Sequence, residues 1–203
     1  MRLARRSAFT FLELSVALAV IALLTLLSIP AYKRILASGA VSQSTSNLRA
    51  IAAMAHGYAA ENNGVLPPMQ TGEEEIATWD SLLLSYSIGT SERIFAARAD
   101  RFPRPPGKTP RSYSLNPRFA GKPVVAVSRP SVVALVVERH ASANGDPLAY
   151  VSGPPVKPTG YSDFPYEGKT QIALFDGSVA MVEKIDWLAW HRTYIDPENP
   201  DWQ

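Results

Sequence analysis

The sequence contains no cysteine. That excludes a disulfide framework, a thiolate metal site, a cysteine nucleophile and lipid attachment through sulfur. Histidine is scarce: His56, His140 and His191 are the only three, and none has the paired spacing of a zinc site, so each reads as a core or solvated residue. There is no Gly-x-Ser-x-Gly elbow, no phosphate-binding loop and no paired-acid arrangement in a recognisable context, so an enzyme is not expected, and neither is a metal or cofactor. Net charge is small, at +2, and three of the positive charges (Arg2, Arg5 and Arg6) stand ahead of a long apolar run. The one local excess lies between Arg98 and Lys122, where seven basic residues face only Asp100. No groove-reading motif accompanies it, so a solvated loop is expected there rather than a nucleic-acid or other anionic partner.

What remains is ordinary for an ordered globular protein, with 46% hydrophobic and 19% charged residues. Seventeen prolines crowd mainly into the stretches from Pro103 to Pro130 and from Pro147 to Pro165, which read as connections. The length suits one domain plus an extended segment.

From Phe9 to Ile29 the residues are almost all apolar. As a helix rising ~1.5 Å per residue, this run approaches the ~30 Å hydrocarbon core of a bilayer. Arginines before it and few charges just after it orient the N-terminus towards the cytoplasm and the rest of the chain outward. A cleaved secretory signal, an uncleaved anchor and a buried soluble helix all compete for this run. The signal reading suits poorly the residues Leu26 to Ala31 at its end, and a simple anchor leaves Glu13 without a role. An acid at a bilayer centre costs at least ~2.5 kcal/mol, less near an interface. Thr10 and Glu13 have capping-box spacing, and an acid in the first turn suits the helix dipole. A cut before Phe9 would also place a new amino group about one turn from Glu13.

Beyond Pro30 the helical pattern continues, with Leu48, Ile51, Ala55 and Tyr58 on one face and Ser46, Asn47, Arg49 and Glu61 largely elsewhere. Asn62-Asn63-Gly64 stops it, and Pro67-Pro68 prevents resumption. Such a helix, from about Phe9 to about Asn62, would run ~80 Å if straight, too long for a domain of this size to bury. Its first half therefore needs lipid or sister helices. Pro30 marks either a kink or the end of a span. Further on, a short helix is expected over Ile76 to Tyr86, favoured at its start by Glu73 to Glu75. Strands are expected at Tyr113 to Leu115, Val124 to Val127 and Val132 to Val137, and a hairpin at Gln171 to Phe175 and Ser178 to Val182 around Asp176-Gly177. A last helix is expected over Ile185 to Tyr194.

Ser7-Ala8-Phe9-Thr10-Phe11-Leu12-Glu13-Leu14, behind a basic leader and ahead of an unbroken apolar helix, resembles the prepilin cleavage and methylation motif of type IV pilins and type II secretion pseudopilins. Ala8 stands where that family usually has glycine. Pro30 with Tyr32 resembles the proline and neighbouring tyrosine common in those helices. Asn47 to Ile51, Tyr58 to Gly64, Ser112 to Asn116 and Leu174 to Gly177 resemble the prepilin-like proteins with a C-terminal His-x9-Asp-Gly element, whose histidine position is held here by Tyr166. A metal role for that imidazole does not carry over.

The resemblance implies an α+β, type IV pilin-like fold, with a long N-terminal helix packed on a small antiparallel β-sheet. Its segments would be a leader at 1–8, a transmembrane and assembly half-helix at 9–29, an amphipathic half at 30–63 and an extracytoplasmic domain at 64–203. A prepilin peptidase would cut between Ala8 and Phe9 and methylate Phe9, and Glu13 would neutralise a neighbouring subunit's N-terminus. Implied partners are other pilin-like subunits, an inner-membrane platform protein and an assembly ATPase, with the chain in the bacterial inner membrane and then in a periplasmic or surface filament. Asp163, Glu167 and Asp176 could contribute oxygens to calcium, but ligand type alone supports this and Asp176 is already explained by its turn, so calcium is not expected. The competing reading is a membrane-anchored extracytoplasmic binding domain that never polymerises.

Overall fold

A continuous helical pattern from the apolar run into the three-four spaced face produces one helix, α1, Phe11–Glu61. The computed structural model describes residues 10–69, 78–86, 92–100, 112–138, 140–141, 161–162, 166–185 and 187–197. Pro30 lies inside α1 and does not end it, although its ring removes the donor that the Leu26 carbonyl would otherwise receive. The helix stops where expected: Asn63 and Gly64 both adopt left-handed conformations (φ 54° and 78°), and the Gly64 amide donates back to the Ala59 carbonyl at 2.8 Å.

The chain divides into two compact units between Gly39 and Ala40. In the first, every described residue is exposed. In the second, α1 turns Leu48, Ile51, Ala52 and Ala55 into a core shared with α2 (Trp79–Leu84), a 3-10 turn at Glu92–Phe95 and one face of a sheet. Trp79 and Leu83 of α2 are buried, with Leu82 and Tyr86 half-buried beside them. Trp79 meets Phe95 edge-on at 5.5 Å, and Tyr58 meets Tyr86 in the same manner. The acids Glu73 to Glu75, expected to favour the start of α2, lie outside the described residues.

The sheet is antiparallel, four strands in the order β1-β2-β5-β6, formed by β1 (Tyr113–Leu115), β2 (Ala134–Glu138), β5 (Lys169–Leu174) and β6 (Val179–Glu183). A separate pair joins β3 (His140–Ala141) to β4 (Tyr161–Ser162). Both faces of the main sheet are covered, which is why β2 is buried along its whole length. Leu135, Val136 and Ala173 join the core that includes the second half of α1. Ala134, Val137, Ile172 and Leu174 form a second cluster with Trp190, Tyr194 and Ile195 from the end of the chain. A register irregularity between Ala134 and Val136 lets the consecutive Leu135 and Val136 join the same cluster.

The Asp-Gly hairpin forms between β5 and β6. Gly177 takes the left-handed position (φ 84°), the Leu174 amide donates to the Ser178 carbonyl at 2.8 Å, and Asp176 Oδ1 accepts from the Ser178 amide and hydroxyl. Those two hydrogen bonds, hydroxyl first, hold the Asp176 carboxyl below its usual range.

Two expectations need correction. Val124 to Val127 is not a strand: Val124–Ala126 is a 3-10 turn, closed by the Ala126 amide on the Pro123 carbonyl and the Val127 amide on the Val124 carbonyl. Val124 and Val127 pack on the core while Val125 between them is 93% exposed, and no strand pairs with this segment among the described residues. The last helix is also shorter, with α3 at Trp187–Trp190 followed by a π-helical turn at His191–Ile195.

Candidate functional site: the exposed apolar helix and a buried carboxylate

Two features of the chain depart from the ordinary economy of a folded protein. The first is the apolar half of α1. Between Phe11 and Leu36 the large apolar side chains are exposed on all sides of the helix, and this is the described segment long and apolar enough to cross a membrane. The polar atoms inside it are already satisfied locally. Ser15, Thr25 and Ser28 donate to the carbonyls of Phe11, Ile21 and Leu24 at 2.9, 2.8 and 2.7 Å, which lowers the cost of placing them in an apolar medium.

Glu13 closes the start of this helix. The Thr10 amide and hydroxyl donate to Glu13 Oε2 at 2.8 and 2.9 Å, and the Glu13 amide donates to Thr10 Oγ1 at 3.2 Å. This is the reciprocal capping box that the Thr-x-x-Glu spacing predicts. Ala8 and Phe9 lie outside the described residues. Glu13 and Pro30 share α1, 17 positions apart.

The second feature is Glu138, at the end of β2 and wholly buried. Its side chain lies on the face of the sheet that receives α1, because it follows Val136 at a spacing of two. Ser44, on α1, donates to Oε2 at 2.5 Å. Tyr166 donates to Oε1 at 2.7 Å, and His140 Nε2 lies 2.8 Å from the same oxygen. The Tyr113 hydroxyl donates to Ser44 Oγ at 3.1 Å and accepts from Asn47 Nδ2 at 3.3 Å, so the direction of donation runs from Asn47 through Tyr113 and Ser44 to the carboxyl group. The Thr170 hydroxyl donates to the Glu138 backbone carbonyl, and Gln171 beside it donates to the Val41 carbonyl on α1.

A carboxylate, which only accepts, matches a site where the Ser44 and Tyr166 hydroxyls donate. Burial, and after it the charge of Glu138, raise the phenol pKa of both Tyr113 and Tyr166 well above the usual tyrosine range. The arrangement ties the second half of α1 to three strands. Among the described residues no third metal-ligating group accompanies Glu138 and His140.

The other sequence candidates are dispersed. His56 is half-buried on α1, His140 is the core histidine just described, and the side chain of His191 lies outside the described residues. Tyr166 and Asp176 stand at opposite ends of β5, six residues that span roughly 20 Å, so those two positions of the His-x9-Asp-Gly pattern cannot meet at one ion. The same separation keeps Glu167 from Asp176, so these two do not share one calcium, and Asp163 lies outside the described residues. Glu167, with φ 52°, and Gly168, with φ 85°, instead form the tight turn into β5. Of the basic stretch, Arg118 is engaged by Asp196 at 2.8 Å, Arg98 and Lys122 are exposed, and 101–111 lies outside the described residues.

The buried cluster was not anticipated. Its one sequence signal is that Glu138 directly ends a β-branched run and that Ser44 falls four residues before Leu48 on the buried face of α1. The chain matches no protein-family model, no curated protein and no solved structure.

Proposed function

We propose that this chain is a structural subunit of the pilin or pseudopilin kind, which polymerises through the first half of α1 after removal of Met1 to Ala8. The observation that carries the reading is the contrast within one helix: the second half of α1 is domain core, and the first half exposes apolar side chains in every direction. Unit 2 completes its hydrophobic core from residues of its own. An apolar surface of this extent is stable only when covered, by lipid while the subunit waits in the membrane and by sister helices once it assembles.

Glu13 separates assembly from mere anchoring. A membrane anchor gains nothing from an acid, whereas a bundle of processed helices supplies cations to pair with it, and paired charges in a dry bundle cost far less than isolated ones. On this reading the α+β architecture is type IV pilin-like. Prepilin peptidase cuts between Ala8 and Phe9 and methylates Phe9, and an inner-membrane platform protein and a cytoplasmic ATPase drive polymerisation. Pro30 loosens the helix within the packed region. The subunit begins as a single-pass inner-membrane protein with its domain outside and ends in a periplasmic or surface filament.

The test is filament imaging with Glu13→Gln and Glu13→Ala. Gln keeps an acceptor for the Thr10 box and removes only the charge, so both variants insert normally and both lose filaments. Normal filaments from Glu13→Gln would remove the charge from the mechanism. Loss confined to Glu13→Ala would assign Glu13 to capping alone.

A further inference from the structure

Resting on the membrane stage of that reading, we propose that Tyr32, Lys33 and Arg34 form a belt that binds the headgroups of anionic phospholipids at the outward edge of the span. The three follow one another on α1 just past Pro30, and all are exposed. Their side chains make no ion pair or hydrogen bond among the described residues. Lys33 and Arg34 are also the only basic residues between Phe11 and Leu48.

Consecutive residues step ~100° around a helix, so these three cover more than half of its circumference. A face that docks on a protein gathers on one side, whereas a belt suits a medium that surrounds the helix. From Phe11 to Ile29 α1 rises ~27 Å, close to the ~30 Å hydrocarbon core, which puts Tyr32 ~4.5 Å and Arg34 ~7.5 Å beyond it. The polar layer on each side of a bilayer is ~5–7 Å deep, so the phenol and both cations stand at headgroup level. Charge complementarity selects the occupant. The only acid on the exposed half of α1 is Glu13, which the reading above pairs with the freed amine of a neighbouring copy, so sister helices bring no free carboxylate to Lys33 and Arg34. Phosphates supply the missing anion: Arg34 takes two oxygens in a fork, Lys33 acts as a point charge, and the Tyr32 hydroxyl donates. Cations on the outward flank also weaken the positive-inside bias that orients the chain, and attraction to an anionic surface offsets that cost.

Leu27 is exposed inside the span and lies two turns before Arg34 on the same face of α1. The native chain has no cysteine, so a fluorophore on Leu27→Cys reports from that position alone. The full chain so labelled is reconstituted in phosphatidylcholine vesicles holding a tenth of acyl-chain spin-labelled lipid, either phosphatidylglycerol or phosphatidylcholine. Each cation near an anionic surface corresponds to a factor of about five, so quenching by the anionic lipid is expected to exceed that by the zwitterionic one at least ~3-fold. Equal quenching by the two lipids overturns the belt, leaves Lys33 and Arg34 to solvent or a sister subunit, and leaves the membrane stage standing. No quenching by either lipid overturns the membrane stage and the belt with it.

In the same labelled background Lys33→Ala/Arg34→Ala is expected to bring the two lipids to equal quenching, while Lys33→Arg/Arg34→Lys keeps the preference. Both residues are exposed and removing positive charge from the outward flank does not oppose insertion, so these variants reach the membrane with the domain core intact. A salt concentration near 1 M, where the Debye length is ~3 Å, is expected to reduce the preference of the native chain. A preference for the anionic lipid that survives Lys33→Ala/Arg34→Ala overturns the assignment of the belt to these residues.

Discussion

Replacing Glu138 by Gln keeps the side-chain volume and leaves no cavity, so the change isolates the charge of the buried cluster. The carboxyl takes hydrogen bonds from Ser44 and Tyr166 and has His140 at hydrogen-bond distance, with Ser44 and His140 themselves buried. Hydrogen bonds to a charged group contribute ~1.5–3 kcal/mol and neutral ones ~1 kcal/mol, and the new amide turns a donor towards donors, so a loss of roughly 2–4 kcal/mol is expected. For a chain of this length each kcal/mol moves Tm by ~2–4 °C, which predicts a drop of roughly 4–16 °C. Thermal unfolding of the full chain in detergent, followed by far-UV circular dichroism, measures it. Ser44→Ala is expected to cost less in the Glu138→Gln background than alone, with a coupling of ~0.5–3 kcal/mol. A Tm change below ~1 °C for Glu138→Gln would refute the reasoning, because it would mean that the carboxylate contributes nothing beyond its shape.

The buried phenols give an alkaline signature. Burial raises the pKa of Tyr113 and Tyr166 in the folded state above the unfolded value near 10, so their contribution is complete below about pH 10 and is lost as pH climbs from there towards the folded values. Tm should fall above pH 10, and Tyr113→Phe/Tyr166→Phe should flatten that limb. A limb of unchanged slope would assign it to other groups. Gly177→Ala forces a side chain into the left-handed region in open space, so strain alone should lower stability by ~1–2 kcal/mol, read as a denaturation midpoint; a midpoint within error of wild type would contradict the assigned turn. Leu48→Ala empties a fully buried position on α1 and should cost ~2–5 kcal/mol by the same assay, whereas Leu18→Ala on the exposed half should leave the domain's unfolding unchanged.

The parts of the fold written in local pattern were legible in the sequence. The apolar run, the Leu48, Ile51, Ala55 face, the Asn63-Gly64 stop and the Asp176-Gly177 hairpin each involve residues within a few positions of one another, where propensity and periodicity act directly. Val124 to Ala126 misled because β-branched side chains favour a strand only where a neighbouring strand pairs with them, and here Val124 packs on the core from a 3-10 turn while Val125 is left exposed. The Glu138 cluster was illegible for the opposite reason. Ser44 and Glu138 stand 94 residues apart, and which hydroxyl meets which carboxyl is decided by sheet register and helix placement rather than by either residue's neighbours. The capping role of Glu13 was readable from Thr10 three positions away.

The most direct test of the central claim is intact mass and N-terminal sequencing of the protein recovered from membranes with and without a prepilin peptidase. The account predicts peptidase-dependent loss of Met1 to Ala8 and a methylated Phe9. An intact N-terminus under conditions that process a control prepilin, or a cut after Pro30 or Ala31, would contradict it.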